Sequence, residues 1–261
     1  HAPRNAAGGV YRGQVELTAA GKKIAGIPVA VRVLPFELPE PRAYSDLTRD
    51  FLVTLYSCPT IHELLRDNGG DRELAEKQML AMMKNLRRHN LLHPMMNNYQ
   101  PGEMLKRHLE LMKEAGMTTR PLIGNTIVWL GHGGAALSAD DLTAARNNAD
   151  MWRKFYMDTV GHTDVYLQSG DEAPAAWVAK MRPAWKFFHE RGLKIFTAGH
   201  AGMFIKGGYT YDMHPVAGYP EEEQQAKLWN TVGHAYVGFY AGQHNGSENP
   251  AYVRRQHGLL G

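Results

Sequence analysis

Two carboxylates stand side by side in the stretch VYLQSGDEAP, residues 165–174: Asp171 and Glu172. Val165, Tyr166 and Leu167 read as a buried strand, a polar turn comes next, and Ala173 and Pro174 open a helix. Adjacent acids suit proton transfer, one carboxyl giving a proton to a leaving oxygen while the other stabilises developing charge. Their spacing limits that chemistry. Consecutive Cα atoms lie ~3.8 Å apart, so the pair does not easily place one acid on each side of a reacting centre. The same two acids would also cap the helix and favour its dipole.

The elements that position the pair alternate. Residues 10–33 read as a hairpin, with VYRGQVELTA as the first strand, AAGKK as the turn, and Ile27, Val29, Val31 and Val33 on one face of the second strand. An isolated hairpin is marginal in water, so residues 1–36 are expected to be the last hairpin of a β-sandwich. Pro35, Pro39 and Pro41 stiffen the next segment, and 37–43 reads as a linker. From residue 44 to 261 strand and helix patterns take turns. Strands are expected at DFLVTLY, LLHPMMN, PLIGNTIVWL, DVYLQ, KIFTAG, DMHPVAG and AYVGFYAG. Helices are expected over 71–89, with Met79, Met82, Met83 and Leu86 inward, and over 102–115, with Leu105, Leu109 and Met112 inward. Others are expected from Ser138 to about Val160, over 175–191 with a kink or break at Pro183, over 221–233, and after Pro250. This alternation predicts an α/β fold, a (β/α)₈ TIM-type barrel lacking its eighth strand. A doubly wound sheet is the alternative, but the glycines of GHGGAA come after the third strand and lack G-x-G-x-x-G spacing. The ends, His1 without Met and QHGLLG, are those expected of a fragment.

In such a barrel the chemistry sits at the C-terminal ends of the strands. Asp171 and Glu172 fall there, in company with Asn97, Asn125, Trp129, His200, His214, Tyr219, Tyr240 and Gln243. Amides and imidazoles exchange hydrogen bonds with hydroxyls, and flat rings stack on sugar faces. Those eight residues are therefore the candidate substrate contacts, and the expected partner is a carbohydrate. A glycosidase normally sets two carboxylates across the scissile bond. Neighbouring acids point instead to a substrate that supplies its own nucleophile, a 2-acetamido oxygen.

The chain resembles the catalytic region of glycoside hydrolase family 123. The resemblance runs through the sandwich end YRGQVELTAAGKKIAGIPVAVRVLPFELP, the acid motif YL…DE-x-P, and GSENPAYVRRQHGL near the end. It departs at Ala173, which stands between Glu172 and Pro174 where relatives read more nearly DEP. The resemblance implies a retaining β-N-acetylgalactosaminidase activity by substrate assistance. Glu172 would then be the general acid/base and Asp171 the carboxylate that orients the acetamido group. It also implies export, to the periplasm or outside the cell, and no cofactor.

Other readings remain beside this one. Glu248, after the last strand, would be the nucleophile of a retaining enzyme that uses Glu172 as acid/base; SENP equally reads as a helix start. A non-catalytic carbohydrate-binding barrel would need no proton donor. Thirteen histidines invite a metal, yet His89 and His93 straddle a helix end, and neither HELLR nor HERGL completes H-E-x-x-H, so no metal is expected. Trp177, Met181, Trp185 and Phe188 recur as a helix face and read as core. A formal charge of +3 with scattered basic residues argues against nucleic acid. No run reaches the ~18 to 20 apolar residues of a membrane span. The lone Cys58 excludes an internal disulfide and leaves the compartment open.

Overall fold

The structure, a computed structural model, describes residues 3, 5–36, 54–55, 58–89, 91–96, 98–126, 136–171, 174–198, 214–217 and 238–239. The chain divides into two compact units, His1–Arg42 and Ala43–Gly261. The linker expected over 37–43 and the helices expected over 221–233 and after Pro250 lie outside the described residues.

In the first unit, strand β1 (Gly9–Ala19) pairs antiparallel with β2 (Lys22–Val33). The two-residue turn is Ala20–Gly21, with φ of 49° and 76°. Positive φ at both positions gives a primed turn, whose twist matches that of the strands. Directly opposed residues share a face. Tyr11↔Val31, Gly13↔Val29, Val15↔Ile27 and Leu17↔Ala25 make one side apolar. Arg12↔Ala30, Gln14↔Pro28 and Glu16↔Gly26 make the other mixed, with the polar residues on β1.

The second unit is mixed α/β. After β3 (Thr54–Leu55) comes α1 (Ile61–Asp67), a helix the sequence reading passed over because only seven residues separate its Thr60 cap from Asn68. A reciprocal cap forms it: the Thr60 hydroxyl accepts from Glu63 N–H, and the Glu63 carboxylate accepts from Thr60 N–H. Helix α2 (Arg72–Arg88) buries Met79 and Met83 along the expected face. Strand β4 (His93–Pro94) leads to α3 (Glu103–Glu114), where Leu105, Leu109 and Met112 are buried with His108 and Leu111. Strand β5 (Leu122–Thr126) is followed by α4 (Ala139–Val160), which starts at a Ser138–Asp141 capping box and ends at left-handed Gly161. Strand β6 (Val165–Asp171) and α5 (Ala175–His189) complete the next unit. Of the kink or break expected at Pro183, the break does not occur, and α5 runs through it undivided. Proline removes only one hydrogen bond, to the Ala179 carbonyl, at a cost of about 3 kcal/mol. Burial of Trp177, Val178, Met181, Ala184, Trp185 and Phe188 along one face outweighs that loss. Strands β7 (Lys194–Ala198), β8 (His214–Ala217) and β9 (Gly238–Phe239) come last.

All the described strands of this unit pair parallel, and each pairs with its neighbour in sequence. β3 pairs with β4, a Met96↔Gly124 bridge joins the end of β4 to β5, and β5 to β9 form one sheet in that order. The sheet has two apolar faces. Leu122, Val165, Leu167 and Ile195 join the cluster built with α2 to α5, which defines the helix-covered face. Met95 and Ile123, both buried, cluster with Tyr166 on the opposite face. Burial of both faces is what parallel sheets require.

The β4–β5 contact is tight at Gly124, where φ is 108°. A Cβ there would meet the Met96 backbone at 2.4 to 2.8 Å. Left-handed strain of about 1–3 kcal/mol adds to a clash with backbone that cannot rotate away. We therefore expect Gly124→Ala to destabilise the protein by about 3 kcal/mol or more. Urea unfolding, compared with Gly69→Ala, where nothing lies within 4 Å of the added Cβ, checks this.

Candidate active site

The two ends of the sheet differ in chemistry. At the N-terminal ends, Asp164 ties three strands together. Its carboxylate accepts from Lys194 Nζ of β7 at 2.7 Å and from Arg120 Nε, ahead of β5, at 3.3 Å. Lys194 also lies 4.7 Å from the Tyr166 ring centre and donates to its hydroxyl at 3.3 Å. Burial pushes the Asp164 carboxyl up, but hydrogen bonds and charge from Lys194 and Arg120 outweigh it and hold it below the usual range. Beside them His93 Nδ1 donates to the Pro121 carbonyl at 3.0 Å, and burial holds the imidazole's pKa below its ordinary value. These saturated contacts are structural.

The C-terminal ends carry irregularities instead. β5 and β6 pair at Ile123↔Tyr166 and next at Thr126↔Gln168, so β5 takes one extra residue around Gly124 and Asn125. β6 and β7 pair at Gln168↔Phe196 and next at Asp171↔Ala198, so β6 takes one extra residue at Ser169–Gly170. Gly170 has φ of 82°. Side chains alternate along a strand, and an extra residue inverts the alternation beyond it. A regular β6 would put Asp171 on the helix-covered face with Val165 and Leu167. The bulge puts it on the opposite face, with Tyr166 and Gln168.

The registers therefore define rows across the opposite face. Thr126, Gln168, Phe196 and His214 occupy one row, and Asp171, Ala198 and Val216 the next toward the C-terminal end. His214 is two strands from Gln168, about 10 Å at the usual strand spacing. Of the residues picked out from the sequence, Asp171 is the last residue of β6, as expected, whereas His214 is the first residue of β8, one row earlier, and not at a strand end. Asn125 stands in the β5 bulge, and Thr126 takes the position across from Gln168. Glu172, Asn97, Trp129, His200, Tyr219, Tyr240 and Gln243, with Glu248 of the alternative scheme, lie outside the described residues. Gln168 and Thr126 fall in the expected strands DVYLQ and PLIGNTIVWL but were not among the candidate contacts, and the bulge beside each was not expected. A glycine inside a strand pattern was the available signal, since it marks a bulge.

A third group surrounds the loop after β4. Tyr99 Oη accepts from Ile61 N–H at the start of α1, at 2.7 Å, and lies 2.9 Å from His108 Nδ1. The phenol proton is thus left for Nδ1, which makes His108 the Nε2–H tautomer. That Nε2 is buried and unpartnered among the described residues. Burial lowers the His108 pKa to about 4 and raises that of Tyr99. The pair ties the start of α1 to α3. Cys58, between β3 and α1, is buried, and burial pushes its thiol up to about 11. It is not a thiolate nucleophile near neutral pH. Among the described residues no three His, Cys, Asp or Glu side chains group to hold a metal, and no helix is long and apolar enough to cross a membrane.

No protein-family model matches the chain, and no curated protein matches it significantly.

His108 makes stability depend on pH. Its folded pKa lies below the unfolded value of ~6.5, so the neutral form favours folding. Its contribution is complete above the unfolded pKa, shrinks as pH falls toward about 4, and is gone below that. Wild-type stability should fall by up to about 3 kcal/mol between pH 7 and 4 from this group. Urea unfolding of His108→Gln across that range should show a shallower slope than wild type.

Proposed function

We propose that residues 44–261 form a (β/α)₈-type barrel that hydrolyses terminal β-linked N-acetylhexosaminides with retention, N-acetylgalactosaminides foremost. Sequential parallel pairing supports the barrel, because a doubly wound sheet would reverse its strand order at a switch point. The buried Met95 and Ile123 on the face opposite the helices support it as well. The observation that carries the catalytic reading is the β6 bulge. After it, register position 171 pairs with Ala198 at the end of β6, and barrel enzymes keep their chemistry at such strand ends, which supports a role for Asp171 and for Glu172, next in sequence.

The reaction runs in two steps. The acetamido carbonyl oxygen attacks the anomeric carbon, the glycosidic C–O bond breaks, and Glu172 gives its proton to the leaving oxygen. Asp171 accepts the acetamido N–H hydrogen bond and stabilises the positive charge of the resulting oxazolinium ring. Glu172, now a carboxylate, takes a proton from water as its oxygen attacks the anomeric carbon and reopens the ring. Attack twice on that carbon gives retention. Neighbouring acids suffice because neither must reach the far side of the sugar.

Asp171→Ala should lower kcat on a nitrophenyl N-acetyl-β-hexosaminide by about 10²-fold or more. A loss under about tenfold would remove Asp171 from the mechanism. Glu172→Gln should slow alkyl glycosides far more than nitrophenyl glycosides, whose leaving group needs little proton assistance. Equal loss on both would take the acid role from Glu172.

A further inference from the structure

We propose that β1 is a self-pairing edge: two copies of the chain join their first units along it, antiparallel, about a two-fold axis at Gln14. Among the described residues β1 and β2 form a two-stranded sheet, and nearly all of its side chains are exposed. Such a hairpin is marginal in water, and stability of its own takes three or more strands with an apolar face. A further strand adds only at an outer edge, and the two edges differ. β2 carries the features that blunt an edge. It begins with Lys22 and Lys23, takes one extra residue, Ile24, between Lys23 and Ala25, and has Pro28 near its middle. β1 has neither proline nor an extra residue.

Pro28 also fixes which way the main chain of β1 points. Proline has no N–H, yet pairing runs unbroken on both sides of it, at Gly13↔Val29 and Val15↔Ile27. Its nitrogen therefore faces the outer edge of β2, and Gln14↔Pro28 is a non-hydrogen-bonded pair. The N–H and C=O of Gln14 then point away from β2, and by alternation so do those of Val10, Arg12, Glu16 and Thr18. A Cβ on Gly26 would meet Gln14 Nε2 at 1.6 Å, so the Gln14 side chain lies over β2 and leaves the edge beside it clear.

This phase allows two copies of β1 few registers, and charge selects among them. With Gln14 opposite its own counterpart, Arg12 stands opposite Glu16 of the second copy, and Glu16 opposite Arg12 of the second copy. On the apolar side Tyr11 faces Leu17 of the second copy, and the small Gly13 faces Val15. An axis at Arg12 or at Glu16 would oppose like charges. An axis at Gly13 or at Val15 would leave both charges without an opposite partner. Opposite charges set across a strand pair stabilise it, and like charges destabilise it. Arg12 pairs with no acid among the described residues. Glu16 accepts from Lys23 through Oε1, which leaves Oε2 for the second copy. The contact is isologous and closes on itself. It makes about ten main-chain hydrogen bonds, a usual number for a specific interface. Two hairpins thereby become one four-stranded sheet with a continuous apolar face. The contact is independent of the roles given to Asp171 and Glu172.

Sedimentation equilibrium of the full chain over a wide range of concentration tests this, with far-UV circular dichroism as the check on folding. Wild type should dimerise. Arg12→Glu sets like charges opposite each other twice across the axis and should raise the dimer Kd about tenfold or more. Glu16→Arg should do the same. The two together restore opposite charges and should return Kd to within about threefold of wild type. Gln14→Pro removes the outward donor at the axis, as Pro28 does on β2, and should abolish the dimer. A wild-type chain that stays monomeric overturns the proposal. So does a dimer that the single reversals leave unchanged, because another surface then holds it, and so does a combined variant no better than the single ones. Should Gln14→Pro disturb the hairpin, the charge series, which alters exposed side chains alone, decides.

Discussion

A β-strand has a period of two, and the layout of the candidate site is set by that constraint. One extra residue in β6, between Gln168 and Asp171, decides which face of the sheet register position 171 falls on. Without it Asp171 would sit under the helices, where an ionised acid is costly. With it, Asp171 joins the face of Tyr166, Gln168 and His214. The bulge in β5 works in the same direction by setting Thr126, rather than Asn125, across from Gln168. Two neighbouring strands are thus irregular at the same end.

The opposite end is built for stability. Asp164, Lys194, Arg120 and His93 pair there with one another or with backbone, and those bonds fix the starts of β4 to β7. Strand starts held in this way leave the strand ends free to depart from regular pairing. The helices pack on one face of the sheet. Trp152 stacks on Tyr156 at 5.6 Å within α4, and the aromatic face of α5 covers β6 and β7 through Val165, Leu167 and Ile195. Saturated charge thus lies at one end of the sheet and irregular pairing at the other.

Much of the fold was legible in the sequence because helical and strand periods are strong signals. Met79 and Met83, Leu105 and Leu109, and Trp177 through Phe188 are buried as their spacing predicts. Ser138 caps α4, and Ile27 to Val33 share one side of the hairpin. Three features were not legible. Helix α1 is too short to show a period, and its cap lies in the side chains of Thr60 and Glu63. Helix α5 survives Pro183 through tertiary burial, which local rules ignore. The bulges are statements about pairing between strands, and a single strand read alone does not contain its partner's register. Only Gly124 and Gly170 hinted at them. For the site, Asp171 and His214 could be placed by register.

The central claim is that the substrate brings its own nucleophile, which is why Asp171 and Glu172 can stand together. The most direct measurement compares hydrolysis of nitrophenyl β-glycosides of N-acetylgalactosamine and N-acetylglucosamine with the same sugars lacking the acetamido group. Turnover confined to the acetamido sugars is the predicted result. Comparable turnover of the plain sugars would contradict the account and move the nucleophile to a carboxylate of the protein, with Glu248 the first to test.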